Sequence, residues 1–217
     1  MTLSIYGAFV LASVLFAFAP GPDNMFVLVQ SAVHGVRKGL FTVAGLSVGV
    51  ALQTVAAALG VAAVVAASPS LFWAIRILGA LYLTYLAVMS WTHPTAGSAS
   101  ATKETADSVL FRRGILMNVT NPKVQIFFLA FFPQFVTRGA SSLQTACEMT
   151  VLGVTFMIVT LLVFSLIAFC AGSVAEKLRT PRVQFYLNRT AAVIFACLAA
   201  EIGRASCRER VSDLVLW

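Results

Sequence analysis

Long apolar segments separated by short polar connections dominate this chain. Each segment approaches or exceeds the roughly 20 apolar residues that a helix needs to cross a membrane. None of them alternates polar and apolar residues as a strand of a membrane β-barrel does, so each one predicts a helix. The segments cover residues 5–33, 41–67, 71–91, 114–136, 149–172 and 185–202. The pattern therefore predicts an all-α integral membrane protein with six transmembrane helices.

The first and the fourth of these predicted helices are broken by proline. The first break contains Pro20, Gly21, Pro22, Asp23 and Asn24, and the second contains Asn121, Pro122 and Lys123. Proline lacks a backbone N–H and clashes with the preceding turn, so each break frees main-chain polar groups where water cannot reach them. Paired breaks at corresponding positions of two halves are typical of the substrate site of a secondary transporter.

The longest connection divides the chain into two halves of three helices. Residues 92–113, rich in Ala, Ser and Thr, predict a cytoplasmic linker between a first repeat, 1–91, and a second repeat, 114–200. Because three is an odd number, the second half enters the membrane in the opposite direction, which predicts two inverted three-helix repeats. We expect this symmetry to bring the two breaks together near the middle of the bilayer.

Basic residues favour one orientation in the membrane. With six helices, nine of those in the connections fall on one side, whereas only Arg138 lies on the other side before the final tail; Arg76, near the start of the third segment, is not counted. The nine are Arg37, Lys38, Lys103, Arg112, Arg113, Lys177, Arg179, Arg182 and Arg189. By the positive-inside rule their side is cytoplasmic, and both termini are predicted to be periplasmic or extracellular.

The last seventeen residues differ from the rest of the chain. Residues 201–217 contain six charged side chains, and the apolar stretch before them, 191–200, is too short to cross a ~30 Å hydrocarbon core. One interpretation places Glu201 and Arg204 in a helix that faces a polar cavity. We favour the other, that 201–217 is a non-native or atypical tail outside the fold. The first segment, in contrast, follows no basic residue, and we expect it to be retained rather than cleaved.

Composition agrees with a membrane protein and limits its partners. Of the 217 residues, 59% are hydrophobic and 11% are charged. The formal net charge of +7 resides in the connections between helices, so we expect the lipid bilayer as a partner and no nucleic acid. The four cysteines are too scattered for a metal site or a disulfide framework, so no metal and no cofactor is expected.

Asp23 and Lys123 are the two candidates with the most chemistry. Asp23 can cap the half-helix after its break, and it can also take a proton or hold a substrate ammonium. Lys123 can form an ion pair with Asp23, extend along its own stem to the interface, or attract a substrate carboxylate. Together the two side chains could hold both ends of a zwitterion. No Ser-His-acid set or phosphate-binding loop is present, so we predict no catalytic residue and no enzyme.

Uncharged amides add candidates around the breaks. Asn24 and Asn121 lie in the breaks and are candidates for substrate binding or proton coupling, whereas Gln53 and Asn118 are weaker candidates. Each could contact a ligand, although such side chains more often form hydrogen bonds between membrane helices. Gly45 and Gly49 form a small-xxx-small pair, which predicts a close helix interface either within one subunit or in a homo-oligomer.

Several motifs, in their order and spacing, resemble the lysine exporter family of amino-acid efflux permeases, of the LysE and RhtB type. The motifs occupy residues 19–24, 35–39, 78–83, 111–114, 121–123, 127–128, 132–135 and 187–189. The strongest is the block that begins with FRRG at 111–114 and leads to NPK at 121–123, and the first is APGPDN at 19–24. The resemblance covers roughly residues 5–200, and the tail after Ala200 departs from it.

This resemblance implies six helices and the export of amino acids or close derivatives from the bacterial cytoplasm across the inner membrane, in exchange for protons. It implies a functional core of Pro20, Gly21, Pro22, Asp23, Asn121, Pro122 and Lys123. Two other functions stay open on the residues alone. One is export of a metal ion or an inorganic anion, although no Cys or His pair lies at membrane depth. The other is a noncatalytic subunit of a membrane assembly.

Overall fold

Every element that the structure describes is helical. The computed structural model describes residues 2–19, 21–67, 69–92, 106–137 and 140–178, and scattered positions between 180 and 200. The helices are α1 Leu3–Phe18, α2 Pro22–His34, α3 Val36–Ala67, α4 Pro69–Thr92, α5 Asp107–Thr120, α6 Pro122–Ile126 and α7 Ser142–Leu178. A π-helical turn, Phe127–Phe131, and a 3₁₀ turn, Phe132–Phe135, continue α6. The described positions between 182 and 200 are also largely helical.

Some predicted features lie outside the described residues. They are Pro20, the linker residues 93–105, Arg138 and the tail 201–217. The division into repeats and the interpretation of the tail therefore stay predictions.

Two straight helices and two bent ones meet the length and hydropathy expected of membrane spans. The straight spans are Val36–Gly60 in α3 and Ser142–Ala171 in α7. The bent pairs are α1 with α2, at 58°, and α5 with Pro122–Phe135, at 51°. The described residues thus contain up to four spans by length and composition. The number six and the inverted symmetry stay predictions.

Both bends lie where the sequence places proline inside an apolar segment. Pro22 occupies the first turn of α2, and Pro122 occupies the first turn of α6. Proline is favoured there because the first amides of a helix have no intrahelical acceptor. The chain next turns at Gly35, whose φ of +88° lies in a region that side chains disfavour, and α3 begins directly afterwards.

Glycines bring α3 and α5 into backbone contact. A Cβ on Gly45 would overlap the carbonyl oxygen of Phe111, and one on Gly114 would overlap that of Thr42. A Cβ on Gly49 would lie 2.6 Å from the Asn118 Cβ. Of the two alternatives left open by the sequence, the Gly45 and Gly49 pair therefore forms an interface within one chain.

Phenylalanine rings pack α1 against the segment that follows the second break. Phe16 stacks on Phe127 with ring centroids 3.9 Å apart, and Phe9 meets Phe132 edge to face at 5.0 Å. The π-helical turn widens the helix, and four of its five residues are buried. Aromatic pairs of this kind contribute about 0.5–1.5 kcal/mol each beyond their buried area.

A charged cluster joins the beginnings of α3 and α5. Arg37 Nη2 and Lys38 Nζ each lie 3.0 Å from a different carboxylate oxygen of Asp107. Asp107 is in the first turn of α5, where a negative charge also interacts well with the helix dipole. Arg37 is largely exposed, so these pairs contribute about 0–1 kcal/mol each.

Candidate functional site

The two breaks meet in the interior of the protein. Asn121 Nδ2 donates a hydrogen bond of 2.9 Å to Asp23 Oδ2 across the two breaks. Lys123 Nζ donates to the carbonyl oxygens of Ala19, at 2.9 Å, and Phe16, at 3.3 Å, at the end of α1. Residues about a hundred positions apart in sequence therefore form one buried polar cluster.

A small cavity opens between these groups. Its polar lining consists of Gly21, Asp23, Asn24, Asn118, Asn121 and Lys123. Its remaining lining consists of Phe16, Ala17, Val124, Phe156, Thr160 and Phe164. The volume open to the centre of a water molecule is about 20 Å³, which is room for a water but not for an amino acid. Cargo of that size would require the surrounding helices to move apart.

Asp23 is buried, and one of its two carboxylate oxygens accepts a hydrogen bond. Its side chain is only 4% exposed, and Oδ1 has no hydrogen-bond partner among the described residues. The N-cap of α2 is Gly21, and no side chain caps the helix. Asp23 therefore forms no capping hydrogen bond within the described residues, since Oδ2 accepts from Asn121, although its charge in the first turn of α2 still interacts well with the helix dipole. A buried acceptor without a partner costs about 1–3 kcal/mol, and a charged one costs more.

Lys123 is also buried, and its ammonium lies against the end of α1. Besides the two carbonyls, the Phe16 ring centroid lies 4.4 Å from Nζ and the Phe195 centroid lies 5.4 Å away. Among the described residues, no ion pair within 4 Å joins Lys123 to Asp23, so the predicted direct pair is not formed. An ammonium has three donors, and the two carbonyls account for two of them.

Side chains satisfy most of the carbonyls that the first break frees. In a continuous helix the Phe16 carbonyl would accept from residue 20, but Pro20 has no N–H, and the Ala19 amide, at 3.2 Å, and Lys123 Nζ, at 3.3 Å, donate to it instead. Asn24 Nδ2 donates to the Ala17 carbonyl at 2.7 Å. Asn24 therefore serves the end of the preceding helix, and its place in the cavity wall is compatible with a ligand contact as well.

The second break is satisfied by its own surroundings. Pro122 cannot donate to the Asn118 carbonyl, and Gln53 Nε2 from α3 donates to it at 2.8 Å. Gln125 Nε2 donates to the Val119 carbonyl at 2.6 Å. Asn121 Oδ1 caps α6 by accepting from the Lys123 amide at 3.1 Å. Gln53 thus forms a hydrogen bond between helices, which the sequence predicted as more common for such a side chain than a ligand contact.

Pro22 and Pro122 shape the site without lining it. Both prolines are exposed. Gly21, in contrast, lines the cavity, and a Cβ on it would lie 3.5 Å from Lys123 Nζ, in ordinary contact with the ammonium. Asn118 also lines the cavity, and its Oδ1 accepts a hydrogen bond of 3.2 Å from Gln53.

Residues of α7 complete the wall and were not predicted. Phe156, Thr160 and Phe164 follow one another at intervals of four, so they share one face of the helix. The sequence gives no signal that separates Thr160 from the other hydroxyl residues of this apolar segment, such as Thr155 and Ser165, and such residues commonly bond their own helix. Thr160 does so, since its hydroxyl donates to the Phe156 carbonyl at 2.9 Å.

Comparison with known proteins gives one family and several relatives. The family model for LysE type translocators matches residues 14–206. A leucine efflux protein of Enterobacter sp. (strain 638) is 30% identical over 201 residues, which cover 91% of this chain and 94% of that protein. A homoserine/homoserine lactone efflux protein of Salmonella typhimurium is 29% identical over 206 residues, covering 94% and 98%. No solved structure matches.

Proposed function

The chain belongs to the LysE type translocator family, and from that premise we propose that it exports amino acids or close derivatives across the bacterial inner membrane. It is a multi-pass membrane protein, and the relatives named as efflux proteins align with it over nearly their whole length. Their names concern leucine, homoserine and homoserine lactone. We extend the class of cargo, amino acids, to this chain.

One observation carries the proposal. Asp23 Oδ1 is a buried carboxylate oxygen without a partner among the described residues, and Lys123 Nζ has one donor that no described carbonyl accepts; both line the same cavity. An amino acid carries an ammonium and a carboxylate on one carbon, so it matches both groups at once. Binding a zwitterion between them leaves the net charge of the buried site unchanged, which avoids the cost of an unpaired buried charge.

Proton exchange follows from the chemistry of Asp23. The ionised carboxylate attracts the ammonium of the cargo on the cytoplasmic side. Protonation from the outer side removes that attraction and releases the cargo, and loss of the proton to the cytoplasm restores it. Because the cavity is smaller than an amino acid, each step requires the helices to open toward one side, as alternating access demands.

The proposal includes the six-helix arrangement with inverted repeats and both termini periplasmic. Two features support it. Each break places a proline in the first turn of the helix that follows it, and the next residue is charged, acidic Asp23 in the first break and basic Lys123 in the second. Arg37 and Lys38 gather with Asp107 where α3 and α5 begin, on the side that the basic residues assign to the cytoplasm.

The alternative functions fit the cavity less well. A metal cation would face the ammonium of Lys123, and an inorganic anion would face the carboxylate of Asp23. A purely structural subunit would gain nothing from Asp23 Oδ1, a buried oxygen with no partner in the described part of the chain, because such an oxygen costs stability. No specific observation favours ion export, a structural subunit or an enzyme over amino-acid export.

Efflux from proteoliposomes tests the proposal. Vesicles with the purified protein are loaded with labelled leucine and placed in a pH gradient. We expect efflux that depends on the gradient, and a fall of about 10- to 100-fold in Asp23→Asn, the range for losing a charged hydrogen bond. Asp107→Asn is the matched control and should retain efflux, since its carboxylate lies outside the cavity. Absence of efflux of any amino acid by the wild type, or full efflux by Asp23→Asn, would contradict the proposal.

A further inference from the structure

The lining of the cavity also bears on which amino acids fit. Asp23 is the only carboxylate and Lys123 the only ammonium among its described lining residues. In the proposed function the backbone groups of the cargo occupy these two charges. Nothing charged is then left in the described lining for the side chain of the cargo.

The wall that α7 contributes is apolar in effect. Phe156 is 1% exposed and Phe164 is 6% exposed, and both line the cavity with Phe16 and Val124. Thr160, between them on the same face, has its hydroxyl proton engaged by carbonyls of its own helix, at 2.9 Å and 3.0 Å. Its oxygen can still accept a hydrogen bond, but it makes no demand for one.

We propose that α7 forms the side-chain pocket and that the cargo is an amino acid with an uncharged, mainly apolar side chain. The inference rests on the proposed function and adds the class of cargo. A lysine or arginine side chain would bring a second cation into a site with one carboxylate, and a glutamate side chain would bring a second anion. Each would be buried without a partner, which is far more costly than burying a leucine side chain. A threonine-like hydroxyl could donate to the Thr160 oxygen.

The first test is a panel of labelled cargoes in proteoliposomes. We expect leucine and threonine to leave the vesicles at least about tenfold faster than lysine, arginine or glutamate, since one unpaired buried charge readily exceeds the 1.4 kcal/mol that corresponds to tenfold. Export of lysine or glutamate as fast as leucine would overturn the inference while leaving the proposed function intact. Export of no amino acid at all would overturn both.

A second test locates the pocket on α7. Thr160→Asp adds a carboxylate to the apolar wall, so the ratio of lysine to leucine export should rise by about tenfold or more. Thr155→Asp is the matched control, because Thr155 lies on the same helix beside the Tyr6 hydroxyl and does not line the cavity. An unchanged ratio in Thr160→Asp, or an equal rise in the control, would overturn the assignment.

A third variant keeps the assignment testable if Thr160→Asp does not insert. Phe164→Ala enlarges the same wall without adding charge. Export of tryptophan relative to leucine should then rise several-fold, because removal of a buried ring leaves space that a larger apolar side chain can occupy. No change in that ratio in a folded Phe164→Ala protein would contradict a side-chain pocket on α7.

Discussion

The two breaks look alike in sequence, yet their hydrogen bonding differs. The second break is capped by its own Asn121 and supported by Gln53 from α3. The first break has a glycine as N-cap and depends on the second for the bonds from Lys123 and Asn121. The comparison teaches that the backbone of the second break is held by its own surroundings, whereas the backbone of the first depends largely on side chains from the second.

The helices that lead into the two breaks, α1 and α5, also differ in how they are held. Backbone contact at Gly45 and Gly114 locks α5 onto α3. The end of α1 is held instead by ring contacts such as Phe16 with Phe127, and by the side chain of Lys123. Rings and long side chains can shift by changing rotamer, but two backbones in contact cannot. We therefore expect the end of α1 and the start of α2 to move during transport, with α3 and α5 moving as one body.

The largest expected effect comes from Lys123→Met. Loss of the ammonium removes the donor to the Ala19 carbonyl and leaves the Phe16 carbonyl with the Ala19 amide alone. Amide hydrogen exchange in residues 16–25 should therefore increase by about tenfold or more, since a buried acceptor left without a partner costs about 1–3 kcal/mol. Exchange mass spectrometry in detergent measures this. The reciprocal variant, Asp23→Asn, should leave exchange in residues 116–121 within about twofold of wild type, because the supports of that segment are elsewhere. Equal disturbance of both breaks by both variants would contradict the asymmetry.

Substitution of Gly45 tests the packing of α3 against α5, the helix that leads into the second break. A Cβ in Gly45→Ala would overlap the Phe111 carbonyl, and a backbone group cannot move aside cheaply, so we expect a loss of about 1–3 kcal/mol in unfolding free energy. Gly60→Ala is the matched control in the same helix, since a Cβ there meets nothing within 4 Å. Denaturant unfolding in detergent measures both. Similar stability of the two variants would show that α3 and α5 do not pack as described.

A smaller effect is expected from Gln53→Met. It removes both hydrogen bonds to Asn118, at the carbonyl and at Oδ1, but the carbonyl keeps the bond from the Asn121 amide, so we expect a loss of about 1–2 kcal/mol. Gln125→Met should cost less, because Gln125 is exposed and water can replace its side chain. A larger loss from Gln125→Met than from Gln53→Met would reverse the ranking of the two supports.

Sequence patterns located both breaks and the charged residues beside them because these features are local. Proline dictates where a helix ends, and Pro22 and Pro122 lie in the first turns where such residues belong. The partners of Asp23 and Lys123 were not predictable, since they depend on which main-chain carbonyls and amides come near after folding. Thr160 and the two rings beside it were missed for a similar reason. An apolar helix reveals which face it turns inward only once its neighbours are known.

Truncated ligands test the central claim most directly, that Asp23 holds the ammonium and Lys123 the carboxylate of one cargo molecule. Binding of leucine, its decarboxylated amine and its deaminated acid is measured on the wild type, Asp23→Asn and Lys123→Met. We predict that Asp23→Asn no longer prefers leucine to the deaminated acid but still prefers leucine to the amine. Lys123→Met should no longer prefer leucine to the amine but should still prefer leucine to the acid. Loss of both preferences together in each variant, or retention of both, would contradict the claim.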